Sequence, residues 1–109
     1  MDFRDYQVRS SQFAIYPNCG YNPIYPTLGL CGESGEVAEK VKKVLRDNNG
    51  VFDGNAKTAI TLELGDVLWY AAQLANELGI DLNEAAANNL DKLANRKRKN
   101  TLSGSGDDR

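Results

Sequence analysis

Two segments of the chain repeat apolar residues every three or four positions, which places them on one face of an α-helix. In the first segment, the apolar residues are Leu30, Val37, Val41, Val44 and Leu45. In the second, they are Ile60, Leu64, Val67, Leu68, Ala71, Leu74, Ala75 and Leu78. The pattern predicts two amphipathic helices, at about 27–48 and 56–78, that bury these faces.

A further helix is expected at each end of this pair. Residues 2–16 form the first, which Pro17 ends because proline cannot continue a helix. The last runs from Asp81, which forms a capping-box-like pair with Glu84, to about Lys99. Its predicted core residues are Leu82, Ala86, Leu90 and Leu93.

The ends of the two central helices carry capping signals. Thr27 is a plausible N-cap of the earlier helix, and Gly79 follows the later one as a C-terminal signal. No strand pattern or internal repeat is present, so we predict an all-α, four-helix bundle-like single domain. The domain spans residues 1–100, and residues 101–109 form a flexible tail rich in Gly and Ser.

Composition indicates a soluble globular protein with one core. The chain has 109 residues, of which 41% are hydrophobic and 26% charged, with a net charge of −2. That charge gives no attraction to nucleic acid or to an anionic membrane surface. No apolar run is long enough to span a bilayer, and the first residues do not resemble a signal peptide. We therefore expect a cytoplasmic protein with neither a nucleic-acid nor a membrane partner.

The chain contains no histidine, which excludes several kinds of site. A Ser-His-Asp triad, a histidine general base and a Cys/His zinc site are all ruled out. The two cysteines, Cys19 and Cys31, do not form a CxxC motif. A di-iron carboxylate bundle normally needs Glu-x-x-His and is also disfavoured. Acid–base chemistry must then use carboxylate, Lys, Tyr, Cys or metal-bound water.

Two acid pairs border the apolar faces of the central helices. Glu33 and Glu36 lie three residues apart on one helix, and Glu63 and Asp66 lie three apart on the next. Residues at this spacing project from the same face of a helix. When the helices pack, four carboxylates would repel one another and some of their pKa values would rise. A hard divalent cation removes this repulsion, so the pattern predicts a Mg²⁺ or Mn²⁺ site.

Three polar residues of the last helix fall on one stripe. They are Asn89, Lys92 and Arg96, which present an amide and two cations suited to phosphate oxygens. Without the acids, a solvated polar face would be the better interpretation of this stripe. Glycines at 29, 32 and 35 indicate close approach of another backbone or of a ligand near the first acid pair.

These motifs together resemble a known family. The segment 32–39 reads Gly-Glu-Ser-Gly-Glu-Val-Ala-Glu, 63–70 reads Glu-Leu-Gly-Asp-Val-Leu-Trp-Tyr, and Asn89, Lys92 and Arg96 follow in order. They resemble the three motifs of the MazG-like all-α nucleoside triphosphate pyrophosphohydrolases and cover most of residues 28–98.

The resemblance implies an activity and a set of residues. The expected reaction is hydrolysis of a nucleoside triphosphate between the α- and β-phosphates, giving a monophosphate and pyrophosphate and clearing non-canonical or surplus nucleotides. The implied Mg²⁺ ligands are Glu33, Glu36, Glu63 and Asp66. The implied substrate-binding residues are Tyr70, Asn89, Lys92 and Arg96. Glu36 and Glu39 both remain candidates for the general base.

The resemblance also implies self-association, as a dimer or as a tetramer made of dimers, with partner residues completing the base pocket. The tail ends like that of small stand-alone members, and we expect it to fold over bound nucleotide with Arg109 contacting phosphate or a neighbouring subunit. Two alternatives stay open. One is a same-fold dUTPase, dCTPase or phosphoribosyl-ATP pyrophosphohydrolase, and the other is a non-catalytic helical interaction module.

Overall fold

The computed structural model of the protein describes residues 1–107 and confirms an all-α fold. The four α-helices are α1 (Phe3–Ser10), α2 (Ile24–Asp47), α3 (Gly54–Leu78) and α4 (Leu82–Arg98), and a 3₁₀ helix (Ser11–Phe13) follows α1. No strand occurs in residues 1–107, and none of their helices combines the length and apolar character needed to cross a bilayer. Arg109 lies outside the described residues, so its expected contact is untested.

Helices α2 and α3 form an antiparallel hairpin that is the most extensive contact of the chain. Asn49 and Gly50 take left-handed φ values of 52° and 75° in the turn, which suits an Asn-Gly pair. The Asp53 side chain then accepts a hydrogen bond from the Ala56 amide at 2.9 Å and begins α3. This turn sets the register that brings the acid-bearing segments of the two helices together.

The first helix ends earlier than the sequence predicts. The Ser10 and Ser11 hydroxyls donate to the carbonyls of Gln7 and Val8, at 3.0 Å and 2.7 Å. Serine hydroxyls compete in this way with the regular helix ladder. The chain therefore tightens into the 3₁₀ helix and leaves the helical conformation before Pro17 is reached.

The second helix begins three residues before its predicted N-cap. Thr27 lies inside α2, where its hydroxyl donates to the Pro23 carbonyl at 2.8 Å. The Asn22 side chain takes the capping role, because its Oδ1 accepts from the Tyr25 amide at 3.1 Å. Pro26 is tolerated because it lies in the first turn, where its missing N–H would have no helical partner.

Polar contacts hold α1 against α3. The Gln73 amide donates to the Ser10 hydroxyl at 2.8 Å, and the Gln7 amide donates to Asn76 Oδ1 at 2.9 Å. Gln73 is 1% exposed and Ser10 is 5% exposed, so this interface is dry. Buried groups of this kind fix one docking geometry because each needs its partner.

The last helix departs most from the predicted bundle. Asp81 caps it by accepting from the Asn83 amide at 2.8 Å, but within residues 1–107 no return hydrogen bond from the Glu84 side chain completes the predicted capping box. Arg4 of α1 pairs with Asp81 at 2.7 Å. Helix α4 packs chiefly against α1. The prediction that Leu90 and Leu93 face the core is wrong within one chain, because they are 67% and 38% exposed.

The isolated chain leaves much of its apolar surface uncovered. Its accessible surface is 7715 Å², whereas a compact monomer of 12.0 kDa exposes about 6,000 Å². Its radius of gyration is 16.7 Å, against about 13 Å for a compact domain of this length. Leu64 and Leu78 of the predicted apolar stripe are 53% and 54% exposed. One chain therefore does not bury both apolar faces by itself.

Close approach explains one of the three glycines in α2. A Cβ atom on Gly29 would overlap the Tyr70 ring of α3, whereas one on Gly32 or Gly35 would meet nothing within 4 Å. The Tyr70 ring thus lies directly on the α2 backbone, and the expectation of close approach is met at Gly29 alone within this chain.

We expect Gly29→Ala to lower the free energy of unfolding by about 1–3 kcal/mol, because it overpacks the Tyr70 contact. Gly35→Ala is the matched control and should be neutral or stabilising by about 0.5–1 kcal/mol, because alanine favours a helix. Urea unfolding of both variants measures the difference. Equal stabilities would contradict the contact between Tyr70 and the α2 backbone.

Candidate metal centre

Three carboxylates from two helices converge in the α2–α3 hairpin. Glu33 of α2 and Glu63 and Asp66 of α3 each offer an oxygen, and these oxygens all lie within 4.8 Å of one another. Glu33 and Glu63 are partly buried, and Asp66 is exposed at the open side. The group joins acids that are distant in sequence, because the antiparallel register places early residues of α2 beside the middle of α3.

The carboxylates of this cluster repel one another. Partial burial raises the pKa of Glu33 above its usual range, and the charges of Asp66, Glu63 and Glu36 raise it further. Within the described residues, the negative charge of these acids is partly offset by a loose ion pair between Lys40 Nζ and Glu63 Oε1 at 4.0 Å. The carboxylates therefore carry repulsion that a bound cation would relieve.

The donor set fits a hard divalent cation. Mg²⁺ binds oxygen ligands at about 2.0–2.1 Å and commonly keeps several waters alongside one or two carboxylates. Neighbouring oxygens around such an ion lie about 3–4 Å apart by that geometry, so the side chains of Glu33, Glu63 and Asp66 need only small adjustments. No nitrogen or sulfur ligand joins the group, which disfavours zinc.

The other two acids of the first motif are placed differently. Glu36 lies outside the group of three, although its charge contributes to the raised pKa of Glu33. Glu39 is exposed and accepts a hydrogen bond from Lys42 at 3.0 Å, which lowers the pKa of its carboxyl. Glu39 is thus engaged on the solvent side by a neighbour in its own helix.

An aromatic groove lies next to the acids. Tyr70, seated on Gly29, is close enough to the cluster that the charges of Glu33 and Asp66 add to burial in raising its pKa. Its ring lies 6.5 Å from Tyr25, which stacks on Tyr16 at 5.1 Å. The groove encloses about 270 Å³ and is lined by Phe13, Ile15, Tyr16, Pro17, Tyr25, Trp69 and Tyr70.

Glu77 anchors the loop that carries these aromatic residues. Its carboxylate accepts hydrogen bonds from the Tyr16 hydroxyl, from the Gly20 amide at 2.8 Å and from the Asn22 amide at 3.1 Å. The Tyr16 bond, followed by the Gly20 bond, holds the pKa of the Glu77 carboxyl below its usual range. One acid on α3 thereby fixes the conformation of residues 16–22.

The family model for the MazG nucleotide pyrophosphohydrolase domain matches residues 25–101, more than half of the chain. The chain belongs to the MazG family. It is also 47% identical to the gene 37 protein of Mycobacterium phage L5 over a 109-residue alignment, which covers 95% of this chain and 96% of that protein. No solved structure matches it.

The third motif of this MazG chain lies away from the acids. Asn89 is exposed on α4, whereas Arg96 is only 4% exposed. Lys92 and Arg96 both bind residues of the tail. Within residues 1–107, no hydrogen bond or ion pair joins these three residues to Glu33, Glu63 or Asp66.

Sequence reasoning missed the roles of Lys40 and Glu77 in this MazG fold. Lys40 follows Glu36 by four residues, so the helical spacing placed it beside the acids, but its pairing with Glu63 depends on the neighbouring helix. Helical spacing places Glu77 on the same side of α3 as Glu63 and Asp66, but its partners come from a loop without a periodic pattern. Only the folded chain identifies these partners.

Mg²⁺ should stabilise the folded protein through Glu33. At a concentration of 100 times the dissociation constant, binding adds about 2.7 kcal/mol to the free energy of unfolding. Glu33→Gln should remove this gain. It should also stabilise the metal-free protein at neutral pH, because a carboxyl whose pKa is raised on folding favours the folded state only while protonated.

Thermal unfolding with and without Mg²⁺ measures both effects. Glu84→Gln removes one charge from an exposed position on α4 and serves as the control. A Glu33→Gln protein that keeps the full response to Mg²⁺ would contradict the metal assignment.

Acid should release the loop that Glu77 holds. Because folding lowers the pKa of Glu77, its stabilisation is complete above the pKa of an unfolded Glu, about 4.3, and is lost as the pH falls through the folded value. Glu77→Gln should abolish this pH dependence and weaken the protection of the Gly20 and Asn22 amides at neutral pH. Hydrogen exchange at these amides measures it, and unchanged protection in the variant would refute the anchoring role.

Proposed function

We propose that this protein is a Mg²⁺-dependent nucleoside triphosphate pyrophosphohydrolase, with Mn²⁺ as a possible substitute. It cleaves between the α- and β-phosphates to give a nucleoside monophosphate and pyrophosphate. In the cytoplasm, this activity would clear non-canonical or surplus nucleotides. The observation that carries the proposal is the convergence of Glu33, Glu63 and Asp66 in a chain of the MazG family.

The acid cluster would hold the cation against the triphosphate. Bound Mg²⁺ would supply neutralisation of phosphate charge and a lowered pKa for a coordinated water. Glu33, Glu63 and Asp66 would act as its ligands, and Lys40 would keep the Glu63 carboxylate oriented. Glu36 would join them on a modest change of its side chain, since it lies on the same face as Glu33.

The general base would be a carboxylate that is not fully used as a ligand. Glu36 and Glu39 are the two candidates from the first motif. The structure supports Glu36 better, because its charge acts on Glu33 whereas Glu39 is bound to Lys42 and has a lowered pKa. A lowered pKa makes a carboxylate a weaker base.

The nucleobase would bind in the aromatic groove. Aromatic rings stack on any nucleobase. Tyr70 lines the groove and also lies close to the acids, so it would connect the base site with the metal site. Glu77 would keep this surface in place by holding the loop. The residues that line the groove do not define one base, so turnover of a panel of nucleotides will identify the preferred one.

Phosphate binding by Asn89, Lys92 and Arg96 requires a second copy of the chain. These residues lie on α4, which packs chiefly on α1, and within residues 1–107 they form no hydrogen bond or ion pair with the acid cluster. The surface in excess of a compact monomer is about 1,700 Å², more than the roughly 800 Å² that each partner buries in a standard interface. We therefore propose a dimer or tetramer in which α4 of one copy approaches the hairpin of another.

Activity should depend on the metal and on Glu63. Purified protein incubated with canonical, deaminated and modified dNTPs should release monophosphate and pyrophosphate with Mg²⁺ present and none with a chelator. Glu63→Gln should lower kcat by about 100-fold or more, because loss of a metal ligand removes several kcal/mol of transition-state stabilisation. Glu84→Gln on the exposed face of α4 should keep wild-type activity.

The same panel separates the alternatives. Turnover of dUTP or dCTP alone, or of phosphoribosyl-ATP, would identify a same-fold relative with another substrate. Absence of pyrophosphate release with every nucleotide and metal would favour the non-catalytic interaction module. Full activity of Glu63→Gln would show that the acid pair of α3 is not the metal site.

Self-association should be visible in solution. Light scattering at micromolar concentration should give two or four times the chain mass of 12.0 kDa. Leu64→Lys should shift the protein towards monomer, because it places a charge in the uncovered apolar stripe of α3. Val51→Lys, an equally exposed position in the α2–α3 turn, is the control. A wild-type protein that remains monomeric would refute the assembly.

A further inference from the structure

The tail returns onto the basic pair of α4. Lys92 Nζ and Arg96 Nη2 each donate a hydrogen bond to the same oxygen, Asp107 Oδ1, both at 3.0 Å. Arg96 Nη2 also donates to the carbonyls of Asp107 and Gly106, at 3.1 Å and 3.4 Å. Two cations thus converge on one carboxylate that the chain itself supplies, in the way that they would converge on a phosphate oxygen.

Arg96 is not fully satisfied by this contact. The residue is 4% exposed, and its Nε is buried without a hydrogen-bond partner among residues 1–107. Nε and Nη2 together form the edge with which arginine binds carboxylates and phosphates in a bidentate manner. The tail uses Nη2 only, so a phosphate group with two free oxygens would satisfy this edge better than Asp107 does.

The return of the tail is built locally. Asn100, Gly104 and Gly106 take left-handed φ values of 62°, 140° and 80°, which reverse the chain after the helix ends. The Thr101 amide donates to the Arg96 carbonyl at 2.8 Å and secures the first part of the reversal. The contacts of the tail with Lys92 and Arg96 therefore lie within one chain.

The Asp107 side chain is open to solvent, so a competing anion can displace it. It is 81% exposed, whereas the Arg96 side chain that holds it is 5% exposed. The hydrogen bond from Lys92, followed by that from Arg96, keeps the pKa of Asp107 below its usual range, so it is an anion at neutral pH. Solvent screens the exposed Asp107 carboxylate and weakens its pairing, so a polyphosphate with several negative charges would displace it.

We propose that Asp107 is an internal competitor for the phosphate site, occupying the Lys92–Arg96 pair until the phosphates of the substrate displace the tail. The inference rests on the proposed function, which assigns Lys92 and Arg96 to phosphate binding. In addition, the tail sets the affinity of this site for phosphate, and the free protein already holds Lys92 and Arg96 in the arrangement that binds phosphate.

The test uses Asp107→Asn in the full chain, with inorganic pyrophosphate as the probe. Calorimetry should show pyrophosphate binding about two- to five-fold more tightly to the variant, because an exposed competing charge contributes an effect of that size. The KM for a hydrolysed nucleotide should fall by the same factor with kcat unchanged. Glu84→Gln removes one negative charge from the same helix, about two turns before Lys92, and should change neither value.

The outcomes separate the two proposals. If the wild type hydrolyses nucleotide but Asp107→Asn binds pyrophosphate no more tightly, the internal competitor is refuted and the function stands. If Asp107→Asn binds pyrophosphate more tightly but no nucleotide is hydrolysed, the function is refuted and the competitor stands. Weaker pyrophosphate binding by Asp107→Asn would mean that the carboxylate orders the cations and would also refute competition.

Discussion

Electrostatic repulsion among Glu33, Glu63 and Asp66 is the constraint around which the α2–α3 hairpin is built. Helix packing forces these acids together, because the turn at 48–53 and the contact of Tyr70 with Gly29 fix the register of the two helices. Such repulsion persists in a protein only when the surrounding packing outweighs it or a ligand relieves it. Burial raises the pKa of Glu33 and the charges of the neighbouring acids raise it further, and a bound divalent cation would relieve their repulsion.

Helix α3 carries or contacts the other features that surround the acid cluster. Its middle carries the acids and Tyr70, and its later turns hold α1 through Gln73 and the aromatic loop through Glu77. The acid cluster, the groove beside it and the docking of the first helix therefore all depend on one helix. Helix α4 is attached to this unit chiefly through α1, so in the proposed assembly its basic residues would approach the hairpin of another copy.

Sequence patterns predicted the helices well where a local signal defines them. Helix α3 begins after Asp53 and ends before Gly79, close to the predicted bounds. Three of the four acids in the two predicted pairs converge, whereas Glu36 lies outside that group. The start of α2 was missed because Asn22 caps the helix before Thr27. The end of α1 was missed because two serine hydroxyls compete with the helix ladder before Pro17. The burial of α4 could not be predicted, since periodicity shows which face is apolar but not which chain covers it.

Finding where the cation binds in a crystal would decide whether Glu33, Glu63 and Asp66 form the metal site. Crystals grown with Mn²⁺ and a nucleotide analogue that resists cleavage between the α- and β-phosphates would show the metal by anomalous scattering. We predict an anomalous peak bounded by the carboxylates of Glu33, Glu63 and Asp66, with the phosphates of the analogue on the solvent side of the metal. An ordered nucleotide whose metal is held elsewhere, or by phosphates and water alone, would contradict it.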